Sequence, residues 1–131
     1  ASKDGGSYMN DDEIHVSDTP KLDQAMIHID MPKIHDLSEA KQQRALARLN
    51  AVILHAYRAR ALGLGSLMLC HVAQGGMDAY FDLTGHTKHV DLAAGRVICS
   101  EAGASMLDVE GQLLVSNGKI DDSLLKLLRS I

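Results

Sequence analysis

Short apolar runs alternate along this chain with stretches whose apolar residues recur every three or four positions, and the links between them are brief. Few architectures accept that alternation, and the one it points to is an α/β fold of helices layered on a mixed sheet. Ala25-Met-Ile-His-Ile29, bounded by Pro20 and Pro32, reads as a buried strand. Asp36-Leu-Ser-Glu39 has capping-box spacing, with Asp36 as N-cap and Glu39 at the third helical position. Behind it Leu46, Leu49, Val52, Ile53, Ala56 and Tyr57 form one face of an amphipathic helix running to about residue 57. Residues 58–62 are either a short strand or the frayed end of that helix. The pattern then predicts a helix over 67–74 stopped by Gly75-Gly76, a strand over 77–83, a polar loop over 84–89 and a helix over 91–102 stopped by Gly103. Short strands at 104–108 and 113–115 precede a last helix at 121–131, capped by Asp121 or Asp122.

The opening residues are different. Gly5-Gly6 and Asn10-Asp11-Asp12 are turn chemistry, and the residues around them predict two short strands, 7–9 and 13–16. A lone two-stranded hairpin is marginal in water, so residues 1–17 are expected to lean on a sheet whose other strands lie elsewhere. The alternative is a frayed terminus. Residues 18–131 would then form the α/β subdomain.

Composition narrows the function classes. A chain of 131 residues buries roughly two-thirds of its unfolded surface, enough for one core. A net charge of −4 argues against a nucleic-acid partner, which calls for a basic face. No apolar run approaches the roughly 18 residues of a membrane span, and no basic-then-apolar leader opens the chain. Cys70 and Cys99 lack metal-finger or disulfide-framework spacing and fit a reducing, cytoplasmic setting.

From Gly63 onward the residues carry a resemblance. Val90-Asp-Leu-Ala-Ala-Gly95 and Glu101-Ala-Gly-Ala104 resemble the paired C-terminal signatures of the inositol monophosphatase family, Trp-Asp-x-Ala-Ala-Gly and Glu-Ala-Gly-Gly. The stretch from Gly63 to Asp82 is similar to that family's glycine turn, helix and Asp-Ala-Tyr-Phe-Glu strand, and the stretch from Gly5 to Ser17 to its mid-chain hairpin. The link from Asp82 to Asp91 is two residues longer than in the animal enzymes. It looks more like the archaeal branch, where inositol monophosphatase and fructose-1,6-bisphosphatase activities coexist. Val90 stands where the family has Trp, and Asp82 where Glu is commoner. No Asp-Pro dipeptide occurs, so the family's N-terminal metal motif is absent. The resemblance is therefore to a C-terminal half, within an α-β-α-β-α sandwich.

The resemblance implies a magnesium-dependent phosphomonoesterase acting on inositol monophosphate or a sugar phosphate such as fructose 1,6-bisphosphate. Its partners would be the phosphate ester, an N-terminal half and a second copy in a homodimer, with neither nucleic acid nor membrane. Asp91 would supply one oxygen to Mg²⁺, a hard cation that takes few protein ligands. By spacing alone it reads as an ordinary helix cap, and it is the resemblance that makes it a metal ligand. Asp82 would accept a hydrogen bond from a substrate hydroxyl, or is simply a solvated strand end. Gly63, Leu64 and Gly65 resemble the turn whose backbone approaches the sugar ring, or form a plain turn before a helix. Arg60 would help hold a phosphate, or is a surface Arg. Ala93-Ala94-Gly95 would let the helix start pack tightly on a neighbouring layer. His86 and His89 beside Asp91 could hold zinc, but the loop gives no frame to fix their spacing. Cys70 and Cys99 fall among apolar residues and fill core. The stripe Leu124, Leu125, Leu127, Leu128 faces core or a partner chain. The competing function is a non-catalytic binding or assembly module of the same shape, and the isolated chain is expected to be inactive.

Overall fold

The computed structural model describes residues 1–87 and 89–131. β1 (Tyr8–Met9) and β2 (Asp12–Glu13) form an antiparallel hairpin with Tyr8 opposite Glu13. Asn10 and Asp11 turn it with φ of 52° and 70°, the left-handed pair that a two-residue hairpin turn requires. The hairpin does not join the main sheet. It is clipped to the end of a later helix: the Asp4 and Gly6 amides donate to the Glu101 carboxylate, the Ser7 hydroxyl to the Ile98 carbonyl, and the Val16 amide to the Ala102 carbonyl.

The other elements alternate as β3 (Met26–Asp30), α1 (Glu39–His55), β4 (Arg58–Arg60), α2 (Gly65–Ala73), β5 (Ala79–Asp82), α3 (His89–Glu101), β6 (Ser105–Val109), β7 (Gln112–Ser116) and α4 (Asp121–Arg129). The segment left open at 58–62 is a strand at its start. The five-stranded sheet runs β4-β3-β5-β7-β6, with β3 parallel to both β4 and β5, and β7 antiparallel to β5 and β6.

This order explains the layers. The chain steps from β3 to β4 on one side through α1, then back across β3 to β5 through α2. Right-handed crossovers in opposite directions must put the two helices on opposite faces of the sheet. Accordingly Ile27, Ile29, Phe81 and Leu114 pack with Ala45 and Val52 of α1 and Leu124 and Leu128 of α4. Tyr80 and Val115 face Met68, Leu69 and Val72 of α2 and Leu92 and Cys99 of α3. The single core expected from chain length is thus two apolar layers divided by one sheet.

Three local expectations need correction. The N-cap of α1 is Ser38, whose Oγ accepts the Lys41 amide at 3.4 Å. Asp36 lies earlier, in a 3₁₀ turn with an exposed side chain beside His35. Neither Asp121 nor Asp122 caps α4, which has no side-chain cap. The Asp121 carboxylate instead accepts the hydroxyls of Ser105, at 2.6 Å, and of Ser116, which is fully buried and needs an acceptor there. Ala93 and Ala94 are exposed, and only Gly95 of that trio is buried, against Leu69 of α2. No helix among the described residues is long and apolar enough to cross a membrane.

Candidate functional site

The parallel strands end together, and their loops leave toward opposite faces: β3 leads to α1, while β5 leads to α3. A crevice opens outside the carboxyl ends of strands wherever this happens. Here the last residues of β3 and β5, Asp30 and Asp82, are direct partners across the ladder. Both are buried, at 9% and 3% exposure.

Their carboxylates have different surroundings. Asp82 is wrapped by its own loop: Oδ1 accepts the amides of Thr84 at 3.3 Å and Gly85 at 3.0 Å, and Oδ2 accepts the amide of Thr87 at 3.1 Å. Asp30 accepts side-chain donors through Oδ2, from the Tyr80 hydroxyl at 2.9 Å and the Thr87 hydroxyl at 3.4 Å. Burial raises the Tyr80 phenol far above its usual pKa, with the charges of Asp30 and Asp82 acting in the same direction. Tyr80 therefore stays protonated and remains a donor. Behind it His28 stacks on the Tyr80 ring, with centroids 5.6 Å apart and planes 14° apart. His28 is fully buried and neither ring nitrogen has a partner among the described residues. Burial lowers its pKa, opposed by the nearby Asp30 charge.

A cavity of about 330 Å³ opens over this floor, lined by Asp30, Lys33, the turn from Gly63 to Ser66, Thr87 and Asp91. Gly63 adopts φ of 74°, a conformation that favours glycine. Gly65 begins α2 so close to the carboxylate that a Cβ there would lie 3.2 Å from both Asp30 Oδ2 and the Tyr80 hydroxyl. The start of α2 has no side-chain cap among the described residues, and the first amides of a helix have no partner within it. Asp91 stands in the first turn of α3.

The tertiary structure thus brings Asp91, Gly63, Leu64 and Gly65 to one cavity, and leaves two of the expected residues beside it. Asp82 lines a neighbouring cavity of about 380 Å³, together with Gly85, Arg96 and Asp108. Arg60 pairs with His28, two residues short of the level of Asp30, and borders a separate apolar groove with Leu49, Ile53 and Tyr57. Asp30 was not foreseen from the sequence. The only signal for it is a charged residue closing an apolar strand run. His86 borders the Asp91 cavity and His89 the neighbouring one, and no group of three or more potential metal-ligating side chains occurs among the described residues. The zinc arrangement does not form. Cys99 is core: its thiol is fully buried, bonds to the Leu69 carbonyl at 3.1 Å, and is pushed up to about 12 by burial.

The comparisons with known proteins agree with this architecture. A putative Nus factor SuhB from Neisseria meningitidis is 29% identical over 98% of this chain and 50% of its own length. A fructose-1,6-bisphosphatase/inositol-1-monophosphatase from Methanocaldococcus jannaschii is 32% identical over 87% of this chain and 40% of its own. The crystal structure of the extragenic suppressor protein suhB from Bartonella henselae superposes with a TM-score of 0.86 at 26% identity, covering 98% of this chain and 50% of that one. The chain therefore spans about half the length of the relatives it matches. The model of the inositol monophosphatase family matches residues 1–129, and the chain belongs to that family.

Proposed function

We propose that this chain is the substrate- and metal-contacting half of a magnesium-dependent phosphomonoesterase acting on inositol monophosphate or a sugar phosphate such as fructose 1,6-bisphosphate. The observation that carries the reading is the shared cavity: a carboxylate in the first turn of a helix, Asp91, lining one cavity with a glycine turn and the start of α2, at the switch point among the parallel strands of the sheet.

The donor set suits Mg²⁺ in part. Mg²⁺ takes one or two carboxylates and keeps water and phosphate oxygens for the rest, so Asp91 fits as one hard oxygen ligand. The remaining ligands are assigned to residues outside this chain. When bound, Mg²⁺ supplies charge neutralisation for the phosphoryl group and the departing alkoxide. The residues of this chain do the placing. The turn from Gly63 to Gly65 admits the ester close to the backbone, and the first amides of α2 offer donors to an anionic group. Asp82 acts through the loop it organises, holding Thr87 where it meets Asp30. Arg60 is left out of the contact set because it borders another groove.

The hairpin of residues 1–17, whose strand residues are exposed, is proposed to extend a sheet supplied by the remainder of the protein. The proposal further takes the protein to be a cytoplasmic homodimer.

The test is phosphate release from myo-inositol 1-phosphate and fructose 1,6-bisphosphate by the protein made from its complete reading frame, beside the 131-residue chain alone. Magnesium-dependent turnover by the first, abolished by a chelator, is the expected result. No turnover by either would leave the non-catalytic binding module as the function.

A further inference from the structure

Asp30 and Asp82 share a strand register but not a task. Every donor that reaches Asp82 is a backbone amide or hydroxyl of its own loop, which makes it the clamp of that loop. The Asp30 carboxylate receives, among the described residues, only the hydroxyls of Tyr80 and Thr87, and both go to the same oxygen, Oδ2. Its Oδ1 has no donor from the described residues, yet it is not among the sealed unpartnered atoms of the interior, and the residue lines the cavity. A carboxylate nine-tenths removed from water, held by two hydroxyls and left with one open oxygen, is an acceptor waiting for a donor.

Two ordinary explanations are excluded by the geometry. Asp30 is not the cap of α2, because no backbone amide donates to its carboxylate among the described hydrogen bonds, although a Cβ at Gly65 would lie 3.2 Å from Oδ2. Nor is it part of a self-sufficient cation site, since no cluster of three potential ligands surrounds it among the described residues. The group that meets this oxygen is a donor and not an anion, because an open carboxylate oxygen repels phosphate, so the phosphoryl end of the ester lies away from it. What fits is a hydroxyl on the non-phosphate part of the ester.

We propose that Asp30 is a specificity-determining residue whose open carboxylate oxygen accepts a hydrogen bond from a ring hydroxyl of a polyhydroxylated phosphate ester in the Asp91 cavity, with Tyr80 as its positioning residue. The inference rests on the phosphatase reading above. What it adds is the residue that tells a hydroxyl-bearing ester from one without such hydroxyls. Protein groups left unpaired by a substrate that lacks the hydroxyl discriminate strongly against it.

The test uses the protein made from its complete reading frame, with Asp30→Asn and Tyr80→Phe variants and a melting curve for each. In Asp30→Asn the amide oxygen goes on accepting from Tyr80 and Thr87, so the amide NH₂ turns to the cavity and an acceptor becomes a donor. The ratio of kcat/KM on myo-inositol 1-phosphate to kcat/KM on p-nitrophenyl phosphate should fall by roughly tenfold or more, mainly through KM. Tyr80→Phe should shift the ratio in the same direction by a smaller factor, and it carries the test if Asp30→Asn does not fold. An unchanged ratio in both variants overturns the assignment, as does an equal loss on both substrates. If the wild-type protein hydrolyses neither ester, the phosphatase reading fails by itself. Titration with free myo-inositol then decides Asp30: saturable binding that Asp30→Asn abolishes supports the contact, and absent or unaltered binding overturns it.

Discussion

Leu69 of α2 occupies the space that a side chain on Gly95 of α3 would need: a Cβ built at Gly95 falls 2.5 Å from Leu69 Cδ1 and 3.0 Å from Leu69 Cβ. The two helices that carry the Gly63–Ser66 turn and Asp91 are thereby locked at close range. Gly95→Ala gains up to about 1 kcal/mol in helix propensity but overpacks the contact, which typically costs about 1–3 kcal/mol. The expected outcome is net destabilisation. Adding Leu69→Ala should relieve the clash, so the double-mutant cycle should show coupling of about 0.5 kcal/mol or more by urea denaturation. Additive effects would remove this close contact from the account.

Asp91→Asn keeps size and helix compatibility. Stability should change by no more than about 1 kcal/mol, the scale of a charge or cap at a helix start. In the protein made from its complete reading frame, kcat should fall by roughly 10²-fold or beyond while KM changes less, because a metal contact acts mainly on the charge of the transition state. A variant that melts several degrees lower yet turns over normally would leave Asp91 as a first-turn carboxylate that only stabilises the helix start.

His28 predicts a pH dependence. Burial holds its folded pKa below the ordinary value of 6.5, so below that value the unfolded chain binds a proton that the folded chain refuses. Stability is then fully present above pH 6.5 and is lost as pH falls through 6.5 toward the folded pKa. His28→Phe keeps a flat ring against Tyr80 and removes the titration. Its stability should fall less steeply than that of the wild type between about pH 7 and about pH 5, measured by urea midpoints. Parallel profiles would show that other groups carry the acid sensitivity.

Arg48 is a buried cation, at 1% exposure, and it ties three elements together. Its guanidinium donates to Gln112 Oε1 at 2.7 Å and to Glu110 Oε2 at 3.0 Å, and Gln112 donates in turn to the Leu83 carbonyl at 2.6 Å. The tie runs from α1 through the β6–β7 turn to the loop that Asp82 organises. Arg48→Ala should lower the melting temperature by several degrees and speed amide exchange at Gly85 and Thr87. Arg48→Met, which refills the volume, should recover part of the melting temperature but not the slow exchange. Unchanged exchange in both variants would separate Arg48 from the loop.

Much of the fold was legible because its signals are local. The run ending at Ile29, the three-and-four spacing behind residue 38 and the glycine stops at 75 and 103 each mark an element or its end, and a strand and three helices formed there. The buried face of α1, however, is Ala45, Arg48 and Val52, while Leu46, Ile53 and Tyr57 of the expected face are exposed. Caps were less legible. Ser38 and Asp36 are both competent N-caps, and which one serves depends on where the preceding 3₁₀ turn ends. Asp121 has capping chemistry but is claimed by two serines from strands that the chain placed earlier.

The sequence by itself determined the order of strands and helices, the glycine turn at residue 63, the carboxylate at the start of the third helix, and through its ordered motifs the family. Only the tertiary structure decided which of those residues share a cavity. Asp30 and Tyr80 lie fifty residues apart, and nothing in either neighbourhood announces the other. They meet because parallel strands place their carboxyl ends side by side, and because the reversal of crossover direction at β3 parts the loops above them. The same pairing set Arg60 two residues too low for the cavity and turned Asp82 under its own loop. Periodicity records which face of an element is buried. Strand register and crossover hand, which are non-local, decide what stands opposite it.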